Sequence, residues 1–182
     1  MMGKKALLVI DMQKGSFTPE TPRYHTFGVV TRINTLADKF RTSGNLVFYI
    51  QHDGTRDNNF IPNTEAWEIV SELHVVEEDI LINKYANDVF YNSNLKFELD
   101  AHNITELYIT GCATDFCVEA TVQSALAKDY SITVVKDAHT TGNRPHLSAI
   151  KVIEHYNWVW QNMIPTKGVI KVEDFKTISS SL

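Results

Sequence analysis

The sequence predicts a three-layer α/β/α fold in which helices cover both faces of a mostly parallel, six-stranded sheet. Three observations support this: short β-branched apolar runs recur along the chain, segments with helical spacing separate them, and the runs are apolar on both faces. Right-handed helical crossovers between such strands give a doubly wound, Rossmann-like sheet of order 3-2-1-4-5-6. We expect the 182 residues to form one domain, 1–182.

Six apolar runs are the predicted strands, because each is short and rich in Val, Ile or Leu. They cover residues 6–10, 46–50, 80–82, 107–110, 132–135 and 169–172. Apolar residues at helical spacing predict helices over about 29–40, 118–126 and 147–156. Shorter helical turns are expected over 65–73 and 95–101, and the serine-rich tail, 178–182, is expected to fray.

Composition excludes several classes of function. The net charge is 17 − 22 = −5, so the chain as a whole has no attraction for nucleic acids or anionic membranes. Two cysteines are too few for a disulfide scaffold and suit a reducing compartment. The first apolar run, 6–10, is shorter than a signal-peptide core of about 7–15 residues. We therefore expect a cytoplasmic protein that acts on a small molecule.

Reactive side chains follow several predicted strands, at the edge where parallel α/β sheets bind ligands. Asp11 follows the first strand, Lys84 the third, and the loop that contains Cys117 the fourth. A thiol to attack, a carboxylate to take its proton and an ammonium group to hold charge would make a nucleophilic site. Each also has a structural interpretation: Asp11 could cap a turn and Lys84 could be a solvated surface charge.

Cys117 is predicted to lie where a loop opens into a helix. The positive end of the helix dipole favours a thiolate there, which is typical of a nucleophile. The alternative is a small core residue, which is the role expected of Cys112.

Three stretches in this order resemble the signature segments of the isochorismatase-like cysteine hydrolases. They read LVIDMQ at 8–13, NKY at 83–85 and TGCATDFCVEAT at 110–121. The resemblance implies a triad in which Cys117 is the nucleophile, Asp11 the base and Lys84 the neighbouring cation. It also implies a cis peptide at Cys112–Ala113 and an oxyanion hole formed by the backbone N–H groups of Ala113 and Cys117. No cofactor is implied, and a homodimer or homotetramer is expected.

Departures from particular members narrow the implied reaction. Nicotinamidases of this family bind a metal through an Asp-x-His and a further His after the second strand, whereas this chain has His52 and Asp53 without a second His nearby. No metal is therefore expected. Members that cleave a vinyl ether lack the nucleophilic cysteine. The favoured activity is hydrolysis of a small amide, ureide or lactam; vinyl-ether hydrolysis and a non-catalytic or redox-sensing role are the alternatives.

Six side chains are candidates to border the substrate, although core or surface packing would explain each of them equally well. They are Phe17, His52, Glu65, Trp67, Tyr85 and Phe116. Phe90 and His139 are further candidates, and His139, after the fifth strand, is expected in a turn or behind the site rather than acting as a base.

Overall fold

The computed structural model describes residues 4–182, and within this range six strands form a single parallel sheet. The strands are β1 (Lys4–Ile10), β2 (Leu46–His52), β3 (Ile80–Lys84), β4 (Ile104–Cys112), β5 (Ser131–Thr140) and β6 (Ile170–Glu173). Their order is β3-β2-β1-β4-β5-β6, and every neighbouring pair is parallel. The predicted fold class and strand order are both confirmed.

Helices cover the two faces of the sheet, so that each face has its own apolar core. The helices are α1 (Thr26–Thr42), α2 (Leu95–Ala101), α3 (Glu119–Ala127), α4 (Ala149–Gln161) and α5 (Phe175–Ser181). Residues of α1 and α5 pack on one face with Leu7 and Val9 of β1. Residues of α2, α3 and α4 pack on the other face with Leu8 and Ile10. β1 is therefore buried on both sides, which explains its uninterrupted apolar run.

The segment 65–73 is not helical, contrary to the expectation from its sequence. It runs as turns alongside the chain that leaves β1, with an antiparallel bridge between Gln13 and Ile69. The Lys14 N–H donates to the carbonyl of Glu68, and the Val70 N–H donates to the carbonyl of Met12. These long-range pairings use the backbone groups that a helical turn would have used internally.

The tail is ordered as α5 rather than frayed, so the second expectation is also wrong. The Asp174 carboxylate accepts a hydrogen bond from the Thr177 N–H and caps the helix, and Ile178 is buried in the core beneath α1. The serine-rich composition of the tail does not reveal the Asp174 cap or the burial of Ile178.

Several predicted boundaries also move. β5 extends to Thr140, so Asp137 and His139 lie within this strand rather than after it. α4 begins at Ala149, so Leu147 lies before the helix.

Within the described residues, no helix is both long and apolar enough to cross a membrane. Assembly into a dimer or tetramer stays a prediction, which the molar mass in solution would test.

Candidate active site

The carboxyl ends of β1, β3 and β4 bring Asp11, Lys84 and Cys117 together. Lys84 is the last residue of β3, and Asp11 directly follows β1. Asp11 has φ +47°, a left-handed conformation that is uncommon for a residue with a side chain and often marks functional sites. Cys117 lies in a π-helical turn, Thr114–Val118, between β4 and α3. A single such turn inside a helical segment is another frequent mark of function.

Lys84 is completely buried and uses all three of its N–H donors. Its Nζ lies 2.8 Å from Asp11 Oδ2, and it donates to Cys117 Sγ at 3.3 Å and to the carbonyl of Ala86 at 2.8 Å. Burial by itself would favour the neutral amine, but Asp11 and Cys117 outweigh it and raise the pKa of Lys84. The raised pKa favours the ammonium form of Lys84, whose N–H groups contact both the carboxylate and the sulfur.

The surroundings of Cys117 disfavour a standing thiolate, contrary to the expectation from its place at the start of a helix. Burial, followed by the charge of Asp11, raises the pKa of this thiol, and Lys84 opposes the rise only in part. The S–H donates to Asn87 Oδ1 at 3.6 Å. The sequence reveals that Cys117 lies near the start of a helix, but it does not reveal that the sulfur is buried.

Asp11 has one free oxygen that could take this proton. Oδ2 is paired with Lys84, whereas Oδ1 is buried and has no hydrogen-bond partner among the described residues. An unpartnered carboxylate oxygen in a buried site is costly. A reacting proton would give Oδ1 the partner that the protein does not supply.

The loop after β4 begins with an unusual peptide bond and forms the turn that carries Cys117. The peptide Cys112–Ala113 is cis, as the resemblance implied. The N–H groups of Phe116 and Val118 both donate to the Ala113 carbonyl, which closes the π-helical turn. Among the backbone bonds described between elements and loops, the N–H groups of Ala113 and Cys117 donate none.

Two side-chain networks hold this loop from behind. Thr114 Oγ1 lies 2.8 Å from His139 Nδ1, and His139 Nε2 lies 3.1 Å from Asn157 Oδ1. The Arg144 guanidinium donates two hydrogen bonds to the Asp115 carboxylate, at 2.6 and 2.8 Å. These contacts join the loop to β5, α4 and the chain after β5.

A cavity of about 200 Å³ lies over the triad. Its walls are formed by Asp11, Gln13, Ser16, Arg23, His52, Phe60, Asn87, Cys112, Ala113, Phe116 and Cys117. Of the six predicted substrate contacts, the structure brings His52 and Phe116 to this cavity. His52 Nδ1 is buried without a partner in the described residues, and burial and the charge of Lys84 lower the pKa of the imidazole.

The other four predicted contacts lie elsewhere. Phe17 and Glu65 border a separate groove along α1. The Trp67 carbonyl accepts hydrogen bonds from the side chains of Gln13 and Gln51, so Trp67 supports the wall from behind. Tyr85 is half-exposed on another surface.

The two further candidates are structural. Phe90 packs in the core and stacks on Tyr130. His139 is buried behind the loop, in agreement with its expected place, and does not line the cavity.

Sequence reasoning missed five residues of the cavity wall as site residues. They are Gln13, Ser16, Arg23, Phe60 and Asn87. Asn87 had a signal, because it follows Lys84 by three residues. Ser16 ends a short 3₁₀ turn, and Arg23 and Phe60 lie in loops; in such short or irregular segments, periodicity does not predict the direction of a side chain. Within residues 4–182, no group of three or more His, Cys, Asp or Glu side chains is placed to hold a metal ion.

Comparisons with known proteins agree with this fold. The chain is 33% identical over 159 residues to the isochorismatase family protein YddQ of Bacillus subtilis (strain 168). The alignment covers 85% of this chain and 88% of that protein. It is 30% identical over 141 residues to the streptothricin hydrolase of Streptomyces noursei, covering 78% of this chain and 51% of that protein. A crystal structure of an isochorismatase family protein superposes with a TM-score of 0.86 at 26% identity, over 94% of this chain and 99% of that one.

A family profile settles the relationship that these likenesses indicate. The profile described as the Isochorismatase domain matches residues 5–162, which include Asp11, Lys84 and Cys117 and most of the sheet. The chain therefore belongs to the isochorismatase family of hydrolases.

Proposed function

We propose that this chain is a cysteine hydrolase that cleaves a C–N bond of a small amide, ureide or lactam. The observation that carries the proposal is the position of Lys84 Nζ, 2.8 Å from Asp11 Oδ2 and 3.3 Å from Cys117 Sγ. One buried cation in contact with both a carboxylate and a thiol has little structural value, because a buried charge is costly. Such an arrangement suits a nucleophile and its base.

The reaction begins with proton transfer from Cys117 to Asp11. Oδ1 takes the thiol proton as the sulfur forms a bond to the substrate carbonyl carbon. Lys84 keeps the carboxylate in place and stabilises the charge that develops on sulfur. Because burial and the charge of Asp11 raise the pKa of the Cys117 thiol, we expect proton transfer and attack to occur together rather than from a stored thiolate.

The tetrahedral intermediate carries its negative charge on oxygen. The N–H groups of Ala113 and Cys117 are the donors proposed to stabilise it, and losing one such donor typically costs about 10²–10³ in rate. Asp11 then gives its proton to the leaving nitrogen as the C–N bond breaks, which leaves a thioester on Cys117. Water attacks the thioester, Asp11 accepts a proton from the water, and the proton returns to the sulfur as the acid leaves.

The test is a screen of small amides, ureides and lactams for release of ammonia or a free amine. We expect turnover by the wild type, and a loss of at least about a thousandfold in Cys117→Ala, because a missing nucleophile removes the covalent route. Cys112→Ala is the matched control, since it removes the other thiol and leaves the proposed triad intact. Hydrolysis that survives in Cys117→Ala but not in Asp11→Asn would instead favour acid–base chemistry without a covalent intermediate.

A further inference from the structure

Arg23 differs from the other arginines because it has no acidic partner. The sequence contains five arginines, and four of them pair with carboxylates at 2.6 to 3.4 Å. These four are Arg32, Arg41, Arg56 and Arg144. Among the ion pairs of residues 4–182, Arg23 occurs in none. Its side chain nevertheless lines the cavity over Cys117.

The Arg23 side chain is anchored so that its end stays at the cavity. Its Nε donates to the Ser16 carbonyl at 2.8 Å, which fixes the plane of the guanidinium. Its Nη1 lies against Gly142, where an added Cβ would be only 3.1 Å away. Within the described residues, neither terminal nitrogen donates a hydrogen bond to the protein. The Nη1 and Nη2 groups of Arg23, which could bind a carboxylate through two parallel hydrogen bonds, therefore have no partner in the described protein.

The charges around the cavity leave a net positive charge on Arg23. Asp11 and Lys84 neutralise each other at 2.8 Å, and Asp115 and Arg144 do the same behind the loop at 2.6 Å. Burial and the charge of Asp11 raise the pKa of the Cys117 thiol, which disfavours a negative charge on the sulfur. An uncompensated guanidinium in a confined cavity attracts an anion and rejects a cation.

The size of the cavity limits the anion. Its volume of about 200 Å³ is below the range of about 300–1,000 Å³ that is usual for ligand pockets. A compound of fewer than about a dozen heavy atoms suits such a space. Both a carboxylate and a scissile carbonyl must then lie within one short molecule.

We propose that the substrate is a small amide or ureide that carries a carboxylate, with Arg23 as the residue that selects it. The carboxylate binds the free Nη groups of Arg23, and this contact directs the amide carbonyl towards Cys117. The inference rests on the proposed function for the identity of the scissile bond, but the recognition of an anion at Arg23 can be tested without turnover.

The experiment measures how well two acids protect Cys117 from alkylation by iodoacetamide, with peptide mass mapping as the readout. The acids are succinamate and N-carbamoylglycine, and their neutral isosteres are succinamide and N-carbamoylglycinamide. In the wild type we expect each acid to protect Cys117 at a concentration at least about tenfold lower than its isostere. The carboxylate of the acid can form charged hydrogen bonds with Arg23, whereas the neutral amide of the isostere cannot. In Arg23→Gln this preference should disappear, and Arg23→Lys should keep part of it, since charge remains but the fork is lost.

Arg56→Gln is the matched control, because Arg56 is an exposed arginine outside the cavity and the preference should persist there. Equal protection by acid and isostere in the wild type, protection by neither, or a preference that survives in Arg23→Gln would each overturn the proposal. Failure of the proposed function looks different. Hydrolysis that persists in Cys117→Ala would contradict the covalent mechanism while leaving an Arg23-dependent preference for acids in place.

Discussion

At the scale of single residues, the site depends on how Lys84 balances two acidic groups. Its Nζ contacts Asp11 and Cys117 and is completely shielded from solvent. Removing the cation would leave the Asp11 carboxylate buried beside a polarisable sulfur with nothing to offset its charge. Removing both charges at once would leave neutral groups whose burial is less costly. Stability and activity should therefore respond differently to these two changes.

We predict that Lys84→Met lowers the free energy of unfolding by about 3–5 kcal/mol, the usual cost of stranding one member of a buried ion pair. The double variant Asp11→Asn/Lys84→Met should be less destabilised than the single one, yet equally inactive. Urea unfolding at pH 7 gives the stabilities, and the amide screen gives the activities. A double variant that is destabilised by the sum of the two single changes would show that the pair does not interact as described.

At the scale of elements, β5 and the loop after β4 depend on each other through His139. The Asn157 amide donates to the Lys136 carbonyl at 3.1 Å, so Asn157 Oδ1 faces the ring and His139 Nε2 carries the proton. Nδ1 then accepts from Thr114 Oγ1. The contact with Thr114 requires a neutral ring, because a protonated Nδ1 cannot accept a hydrogen bond, whereas the bond from Nε2 to Asn157 does not. Burial lowers the pKa of His139 from 6.5 to about 4, while Asn157 and Asp137 oppose the shift only in part.

This shift predicts acid sensitivity. The folded protein holds the neutral ring down to about pH 4, whereas the unfolded chain takes up the proton near pH 6.5, so the contribution is complete above pH 6.5 and is lost as the pH falls. Between pH 7 and pH 5 the loss should be about 2 kcal/mol. His139→Gln, which cannot titrate, should have a free energy of unfolding that falls by that much less over this interval. Parallel pH profiles for the two proteins would contradict the assignment.

The elements also mark the limit of what the sequence could predict. The strands and the residues at their ends followed from local patterns, because a buried parallel strand needs a continuous apolar run. The strand order followed from right-handed crossovers, and the triad roles were implied only by the family resemblance. The segment 65–73 and the tail failed because their conformations depend on distant partners, Gln13 in one case and the core under α1 in the other. Arg23 was missed for the same reason. Its lack of an acidic partner depends on residues that are distant in the sequence.

At the scale of the whole molecule, the two cysteines differ in how a reagent can reach them: Cys117 from the cavity of the folded protein, and Cys112 through unfolding. Cys112 is the last residue of β4, a central strand of the sheet; it lies in the cavity wall but is only 2% exposed, and burial raises the pKa of its thiol to about 12. Cys117 is partly exposed in the cavity and has Asp11 beside it as a base. β4 pairs with both β1 and β5 across the centre of the sheet. Opening it enough to free Cys112 would therefore disrupt the cores on both faces.

We predict that iodoacetamide modifies Cys117 in the native protein but reaches Cys112 only through global unfolding. In increasing sub-denaturing urea, the Cys112 labelling rate should rise with the slope of the equilibrium unfolding transition, while the Cys117 rate stays nearly constant. Cys112→Ala and Cys117→Ala allow each thiol to be followed alone by mass. If Cys112 reacted at a rate independent of urea, the end of β4 would open locally, and the loop that carries Cys117 would be mobile in the native state.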